Sequence, residues 1–289
     1  DGGLMVSVRP LGDSSLHFEG AILTTDNVGN VMSLLRYEHG GSDMISCMER
    51  TTGGEVMVGS LTDGHFGPPD ATDIMIRKIQ ADGDVDWAKV YAVDGQYNAN
   101  LYDMVQTEPD TFIGLGSFSQ DGAGAQPLLF KFTGTGDILW ARGLSVANGG
   151  LQCLSLTLDP AGGVIATGRY SALSNETKMV IVHLDLDGNI EWAHWYGSTG
   201  YCNASTTLIQ PGGGFAILGS FGGNSWIDGA VVRTGPDGTP LSMFAWGSEI
   251  QGGHSFSDGS IMVTCAAIGD ETAIARIDTG KLELTARQR

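Results

Sequence analysis

The chain has 289 residues and a formal net charge of −18, from 33 acidic and 15 basic side chains. Hydrophobic residues make up 42% of it, enough to bury a core, which excludes a wholly disordered chain. The acidic charge argues against nucleic acid or an anionic membrane as a partner, and the absence of an apolar run of roughly 20 residues argues against membrane insertion.

Two short motifs recur along the chain in the same order. The first is a turn followed by an apolar strand, and its copies are centred on Gly3, Gly54, Thr111, Gly163, Gly214 and Gly259. The second is a strand, a turn and another strand, and its turn glycines are Gly29, Gly83, Gly136, Gly188, Gly238 and Gly280. Because both motifs step by about 50 residues, they predict an internal repeat of that length.

Each repeat resolves into four short strands. In the fourth repeat we expect strands over Leu151–Leu158, Gly163–Tyr170, Lys178–Leu184 and Ile190–Tyr196. Asp-Gly and Gly-Gly pairs between them supply the positive φ that tight hairpins need. The strands are apolar on both faces, and helical periodicity is nearly absent, which is typical of sheets packed between other sheets.

The repeat predicts an all-β fold, a β-propeller of six blades with four antiparallel strands each. We expect one domain over residues 1–289, with repeats at about 1–40, 41–95, 96–147, 148–199, 200–248 and 249–289. The chain opens on the second strand of a blade, so the first blade lacks its inner strand. An unusual closure, a truncated sequence and a strand donated by a partner all remain open as explanations.

The repeats resemble those of a tandem-repeat β-propeller family of secreted and cell-surface proteins, with repeats of the type DGGYIVAGS…DGNIxWxKxYGG. The matching segments are Gly213–Ser220, Asp187–Trp192, Tyr196–Gly197, Gly53–Ser60, Asp82–Trp87 and Gly136–Trp140. The resemblance implies the propeller fold and an extracellular or cell-surface location, and it implies no catalytic residue. The sequence departs from the family pattern at Ser33, Ser242 and Leu284, where the pattern has Trp.

Long, irregular connections alternate with short turns, and in a propeller they gather on one face. Loops on a rigid scaffold commonly carry binding residues, so we expect this loop face to be the functional surface. The candidate binding residues there are His17, Phe18, His65, Phe66, Tyr97, Tyr201, Trp226, Asp228 and His254.

Other chemistry has weaker support in the sequence. Two sequons make Asn175 and Asn203 candidate glycosylation sites. The four cysteines are widely spaced and leave disulfides and free thiols equally open. The histidines show no metal-ligand spacing, so we expect no metal site and no cofactor. Bound calcium is the alternative, because Asp185–Asn189 resembles the start of a calcium loop.

Two functions fit these observations. The leading interpretation is a non-enzymatic extracellular module that binds a protein or glycan, assembles with copies of itself, or takes a strand from a neighbour. The alternative is a carbohydrate-active enzyme, a hydrolase or lyase, with its site in the central funnel. Sugar chemistry commonly needs two carboxylates, and the candidates for that role are Asp121, Asp228 and Glu249.

Overall fold

The computed structural model describes residues 5–8, 20–37, 44–63, 71–93, 97–120, 124–146, 149–172, 176–197, 200–223, 226–246, 249–266 and 272–277. These residues form 22 strands in six antiparallel sheets. Across this part of the chain, no helix is long and apolar enough to cross a membrane. The expectation of an all-β fold is confirmed.

The first compact unit, Asp1–Gly143, contains three sheets. Sheet 1 consists of β1 (Met5–Val8), β2 (Gly20–Thr25) and β3 (Val31–Tyr37). Sheet 2 consists of β4 (Met44–Arg50), β5 (Val56–Asp63), β6 (Thr72–Ile79) and β7 (Val85–Tyr91). Sheet 3 consists of β8 (Tyr97–Glu108), β9 (Thr111–Gln120), β10 (Gln126–Thr133) and β11 (Ile138–Gly143).

The second compact unit, Leu144–Arg289, contains the other three sheets. Sheet 4 consists of β12 (Gly149–Leu158), β13 (Val164–Ala172), β14 (Thr177–Leu184) and β15 (Ile190–Tyr196). Sheet 5 consists of β16 (Tyr201–Ile209), β17 (Phe215–Gly223), β18 (Trp226–Thr234) and β19 (Pro240–Trp246). Sheet 6 consists of β20 (Ile250–Ser255), β21 (Ile261–Ala266) and β22 (Thr272–Ile277).

All six sheets are meanders, in which strands follow one another in sequence order. Within the described residues, sheet 1 has three strands, and its first strand pairs like the second strand of the later sheets. The predicted fourth strand of the last repeat, near Leu284, lies outside the described residues.

Within each unit, the first strand of one sheet packs across the preceding sheet. Strand β8 contacts β4, β5 and β6, and β16 contacts β12, β13 and β14. The interfaces between these sheets are the cores. Between sheets 2 and 3, buried Ile76, Leu101 and Phe132 belong to one cluster, and between sheets 4 and 5, Ile181, Ala204 and Phe215 belong to another.

The hairpin turns follow the chemistry that the sequence predicts. In the turn after β14, Asp185 N–H donates to Asn189 O (3.0 Å) and Gly188 N–H donates to Asp185 O (3.0 Å). Gly188 has a φ of 78°, which a side chain would strain. The equivalent turns before β3, β7, β11 and β19 repeat both bonds and the positive φ.

β-Bulges recur at two fixed places in the repeat. The first strand carries one extra residue against the second in sheets 2 to 6, at Ser46, Tyr102, Leu154, Ser205 and Gln251. The third strand shifts register against the fourth just before the turn in sheets 1 to 5. These fixed bulges are an independent structural sign of the repeat.

Candidate functional site

The short turns between third and fourth strands are bound by side chains from the fourth strand of the preceding sheet. From β7, Trp87 Nε1 donates to Gly134 O (3.0 Å) and Tyr91 Oη donates to Gly136 O (2.7 Å), both in the turn after β10. Between them, Lys89 Nζ lies 2.9 Å from Asp137 Oδ1. We call this set of contacts the turn clasp.

The second unit repeats the turn clasp. Tyr196 Oη of β15 donates to Gly238 O (2.7 Å), and His194 Nε2 donates to Asp237 O (3.0 Å). A Cβ on Gly238 would lie 2.7 Å from the Trp192 ring, so only glycine lets the indole lie against this turn. The same three strand positions therefore bind the same turn in both units.

The clasp explains the periodic Trp and Tyr of the sequence in structural terms. Burial, and then the Asp137 carboxylate, raise the pKa of the Tyr91 hydroxyl. Burial and Asp237 do the same to the pKa of Tyr196. Both hydroxyls therefore stay protonated and act as donors. In sheet 1, Leu35 has the place of Lys89 and His194, and it lies against Gly83 by apolar contact.

The opposite ends of the strands carry the predicted binding residues. Tyr97, Tyr201 and Trp226 are the first residues of β8, β16 and β18, and Asp228 is the third residue of β18. All four positions thus lie at the ends that join the connections after the second and fourth strands. These connections are not all longer than the turns, contrary to the expectation from the sequence, because two residues separate β17 from β18 and four separate β15 from β16. The side chains of Tyr97 and Trp226 lie outside the described residues.

Tyr201 and Asp228 share one sheet but not one face of it. Tyr201 pairs with Gly222, which pairs with Ile227, whereas Asp228 pairs with Phe221. Neighbouring positions on a strand project to opposite sides, so these two side chains diverge. They do not form a single constellation in sheet 5.

His254 lies elsewhere. It is the fifth residue of β20, pairs with Met262 and packs edge-on against Phe256 in the following short turn. The structure therefore places His254 at the short-turn end of its strand, not at the loop end. The reason is that β20 begins at Ile250, so four residues of strand precede His254.

The remaining predicted positions divide into two groups. His17, Phe18, His65, Phe66, Asp121 and Asn175 lie outside the described residues. Asn203 lies inside β16, paired with Ser220, and its Oδ1 atom is buried. Glu249 immediately precedes β20 and is half-buried.

The thiols and the proposed calcium loop have plain structural environments. Cys47, Cys153, Cys202 and Cys265 are thiols that are not joined in disulfides, and all but Cys47 are fully buried. Asp185 accepts hydrogen bonds from the backbone N–H groups of Asp187 and Asn189 and from the Asn189 amide, so it caps its own turn. Over the described ranges, no three His, Cys, Asp or Glu side chains are placed to hold a metal ion.

One pair of carboxylates was not anticipated from the sequence. Glu49 on β4 and Asp103 on β8 lie where the first strands of sheets 2 and 3 meet. Burial raises the pKa of Glu49 and the Asp103 charge adds to the rise, although the Gln106 N–H, 3.0 Å from Glu49 Oε1, opposes it. Burial and Asp103 also raise the pKa of the Cys47 thiol. The sequence signal that could have indicated this pair is the presence of charged residues within the first strands of two repeats.

Comparison of the sequence with models of protein families and with curated proteins gives no match. Among solved structures, the chain is similar to an ulvan lyase of a new polysaccharide lyase family, with a TM-score of 0.59 and 9% identity over 96% of this chain and 76% of that chain. It is also similar to a puromycin hydrolase mutant, with a TM-score of 0.56 and 15% identity over 81% of this chain and 37% of that one.

A third similar structure is the β-propeller domain of the trilobed protease from Pyrococcus furiosus, which has an open velcro topology. The TM-score is 0.52 and the identity 9%, over 96% of this chain and 80% of that chain. At such identities the similarity shows the fold alone. The neighbours are β-propeller proteins, and they include hydrolases and a lyase as well as a protein of unknown function.

Proposed function

We propose that this chain is a non-enzymatic binding or assembly module, a six-bladed propeller that works outside the cell or at its surface. One observation carries the proposal. The turn clasps occupy the turn ends with structural hydrogen bonds in both units, which leaves the ends with the connections after the second and fourth strands as the surface for a partner.

The partner in this proposal is a protein, a glycan or a second copy of the chain. Its contact residues are the predicted loop-end positions, of which Tyr201 and Asp228 have described side chains. Because the chain carries a net charge of −18, a protein partner with a basic surface is favoured over an acidic one.

A sedimentation measurement combined with a glycan array tests this function. We expect the wild-type chain to self-associate or to bind at least one arrayed glycan, and Tyr201→Ala and Asp228→Ala to weaken that interaction. Asp187→Ala is the matched control, because Asp187 is an exposed residue of a short turn. A monomer of 30.3 kDa that binds no glycan would exclude self-assembly and glycan binding, and equal loss in the control would contradict the assignment of Tyr201 and Asp228 as contact residues.

A second function, carbohydrate hydrolysis or elimination, has one observation in its favour. Glu49 and Asp103 lie where β4 and β8 pack together, and burial raises the pKa of Glu49, as a general acid requires. Assays on neutral and acidic polysaccharides would show activity that Glu49→Gln abolishes. Activity that survives Glu49→Gln would remove this pair from consideration, and inactivity on all substrates would favour the binding module.

A further inference from the structure

An apolar pocket opens between sheets 2 and 3 in the first unit. Its volume is about 570 Å³. Buried Ile74, Leu128 and Phe130 line it together with Val90 and Tyr91 of β7. The pocket lies between the outer strands of the two sheets, and its lining includes Ala92 and Val93 of the connection between β7 and β8.

The interface between sheets 2 and 3 has a small residue at a position where the interface between sheets 4 and 5 has a large one. Ala141 lines the pocket and pairs with Phe130 across β10 and β11. The equivalent residue in sheet 5 is Met243, which pairs with Val232 and packs against the core cluster between sheets 4 and 5. Met243 fills the equivalent place between sheets 4 and 5. A pocket at this position is therefore not required for the repeat to fold.

The lining determines the class of ligand. None of the lining residues is charged, and the single hydroxyl, that of Tyr91, already donates to Gly136 O. The Tyr91 and Phe130 rings, with centroids 6.5 Å apart, form one apolar wall. The volume falls within the roughly 300–1,000 Å³ of small-molecule sites. The acidic chain disfavours anions.

We propose that this pocket binds a neutral, apolar small molecule. The site uses none of the binding residues proposed above, although Ala92 and Val93 belong to the connection that leads to Tyr97. Binding buries the exposed apolar surface of the lining, and removal of that surface from water drives association.

The test uses N-phenyl-1-naphthylamine, a neutral dye that fluoresces in apolar surroundings, titrated into the full chain. We expect saturable binding with one site per chain. Ala141→Met introduces the side chain that the equivalent residue Met243 has. It should fill the pocket and weaken dye binding about tenfold or more. Ile138→Lys, a change at an exposed lining residue, should weaken it as well.

Ala88→Met is the matched control. Ala88 pairs with Arg77 as Ala141 pairs with Phe130, but it does not line the pocket. The dye should raise the thermal midpoint of the wild type and of Ala88→Met, and leave that of Ala141→Met unchanged. The proposal is overturned if the wild type shows no saturable binding, or if Ala141→Met and Ile138→Lys, both folded by circular dichroism, bind as the wild type does.

Discussion

Tyr91 and Tyr196 each hold a turn of the next sheet with one hydroxyl group. Both hydroxyls donate at 2.7 Å to a turn glycine carbonyl. A partly buried neutral hydrogen bond contributes about 1 kcal/mol. We therefore expect Tyr91→Phe and Tyr196→Phe each to lower the free energy of unfolding by about 1 kcal/mol in urea titrations. Tyr201→Phe, at a strand start on the loop side, is the control. Equal losses in all three variants would show that the lost stability does not come from the turn-clasp hydrogen bonds of Tyr91 and Tyr196.

The same two tyrosines predict a pH dependence. Their pKa values are raised in the folded state, so folding favours the protonated form. The stability they contribute is complete below the unfolded tyrosine pKa, about 10, and is lost as the pH rises above it. Chemical unfolding followed between neutral and alkaline pH should show this loss. The Tyr91→Phe, Tyr196→Phe double variant should lose less, and a parallel decline in both proteins would contradict the assignment.

At the scale of single residues, the sequence predicted the turns better than the side chains that bind those turns. The Asp-Gly turns and the tryptophan positions follow from local chemistry, and the structure confirms Gly188 and its equivalents at positive φ. The bond from Tyr196 to Gly238 joins residues 42 positions apart. No local pattern specifies such a pair. The position of His254 was wrong for a related reason, since loop length fixes where a strand starts.

The strand pairs are held in register by the bulge in each first strand. In sheet 5, the bulge at Ser205 brings the Asn203 carbonyl against Gly219, and a Cβ there would lie 2.1 Å from that oxygen. Gly116 and Gly168 meet the equivalent carbonyls at 2.0 Å and 1.9 Å. In sheets 3, 4 and 5 the glycine of the second strand is therefore required by the close approach of two backbones, whereas sheet 6 has Cys265 at the equivalent place.

We expect Gly219→Ala to lower the free energy of unfolding by about 3 kcal/mol, because the strands must separate or the bulge must move. Gly150→Ala is the matched control. Gly150 also lies in a strand, but an added Cβ meets nothing within 4 Å, so this change should be neutral or slightly stabilising. Urea unfolding measures both. A Gly219→Ala protein as stable as Gly150→Ala would mean that the bulge is not fixed by this contact.

Strand bounds were predictable, whereas bulges were not. In the fourth repeat, the expected strands 151–158, 163–170, 178–184 and 190–196 correspond to Gly149–Leu158, Val164–Ala172, Thr177–Leu184 and Ile190–Tyr196. Alternation and turn residues carry that information. A bulge adds one residue without a characteristic side chain, as Ser46, Tyr102 and Leu154 show. Glu49 and Asp103 were missed because only packing of β8 on β4 brings their strands together.

The whole molecule carries 33 acidic and 15 basic side chains, which gives a net charge of −18. The excess acidic side chains repel one another. At about 0.1 M salt the screening length is roughly 10 Å, so added salt weakens this repulsion. We expect the thermal midpoint at pH 7 to rise with sodium chloride. Near pH 4.4, the isoelectric point, the rise should vanish. A midpoint independent of salt at pH 7 would show that local ion pairs balance the net charge.

The fixed bulges have a consequence for how this sequence can change over time. Insertion of a residue inside a strand would displace the bulge from its glycine and turn every following side chain to the wrong face. Insertion into a connection after the second or fourth strand disturbs neither the pairing nor the turn clasp. New segments can therefore accumulate at the loop ends while the repeat keeps its register. The same places suit a foreign epitope or a circular permutation point.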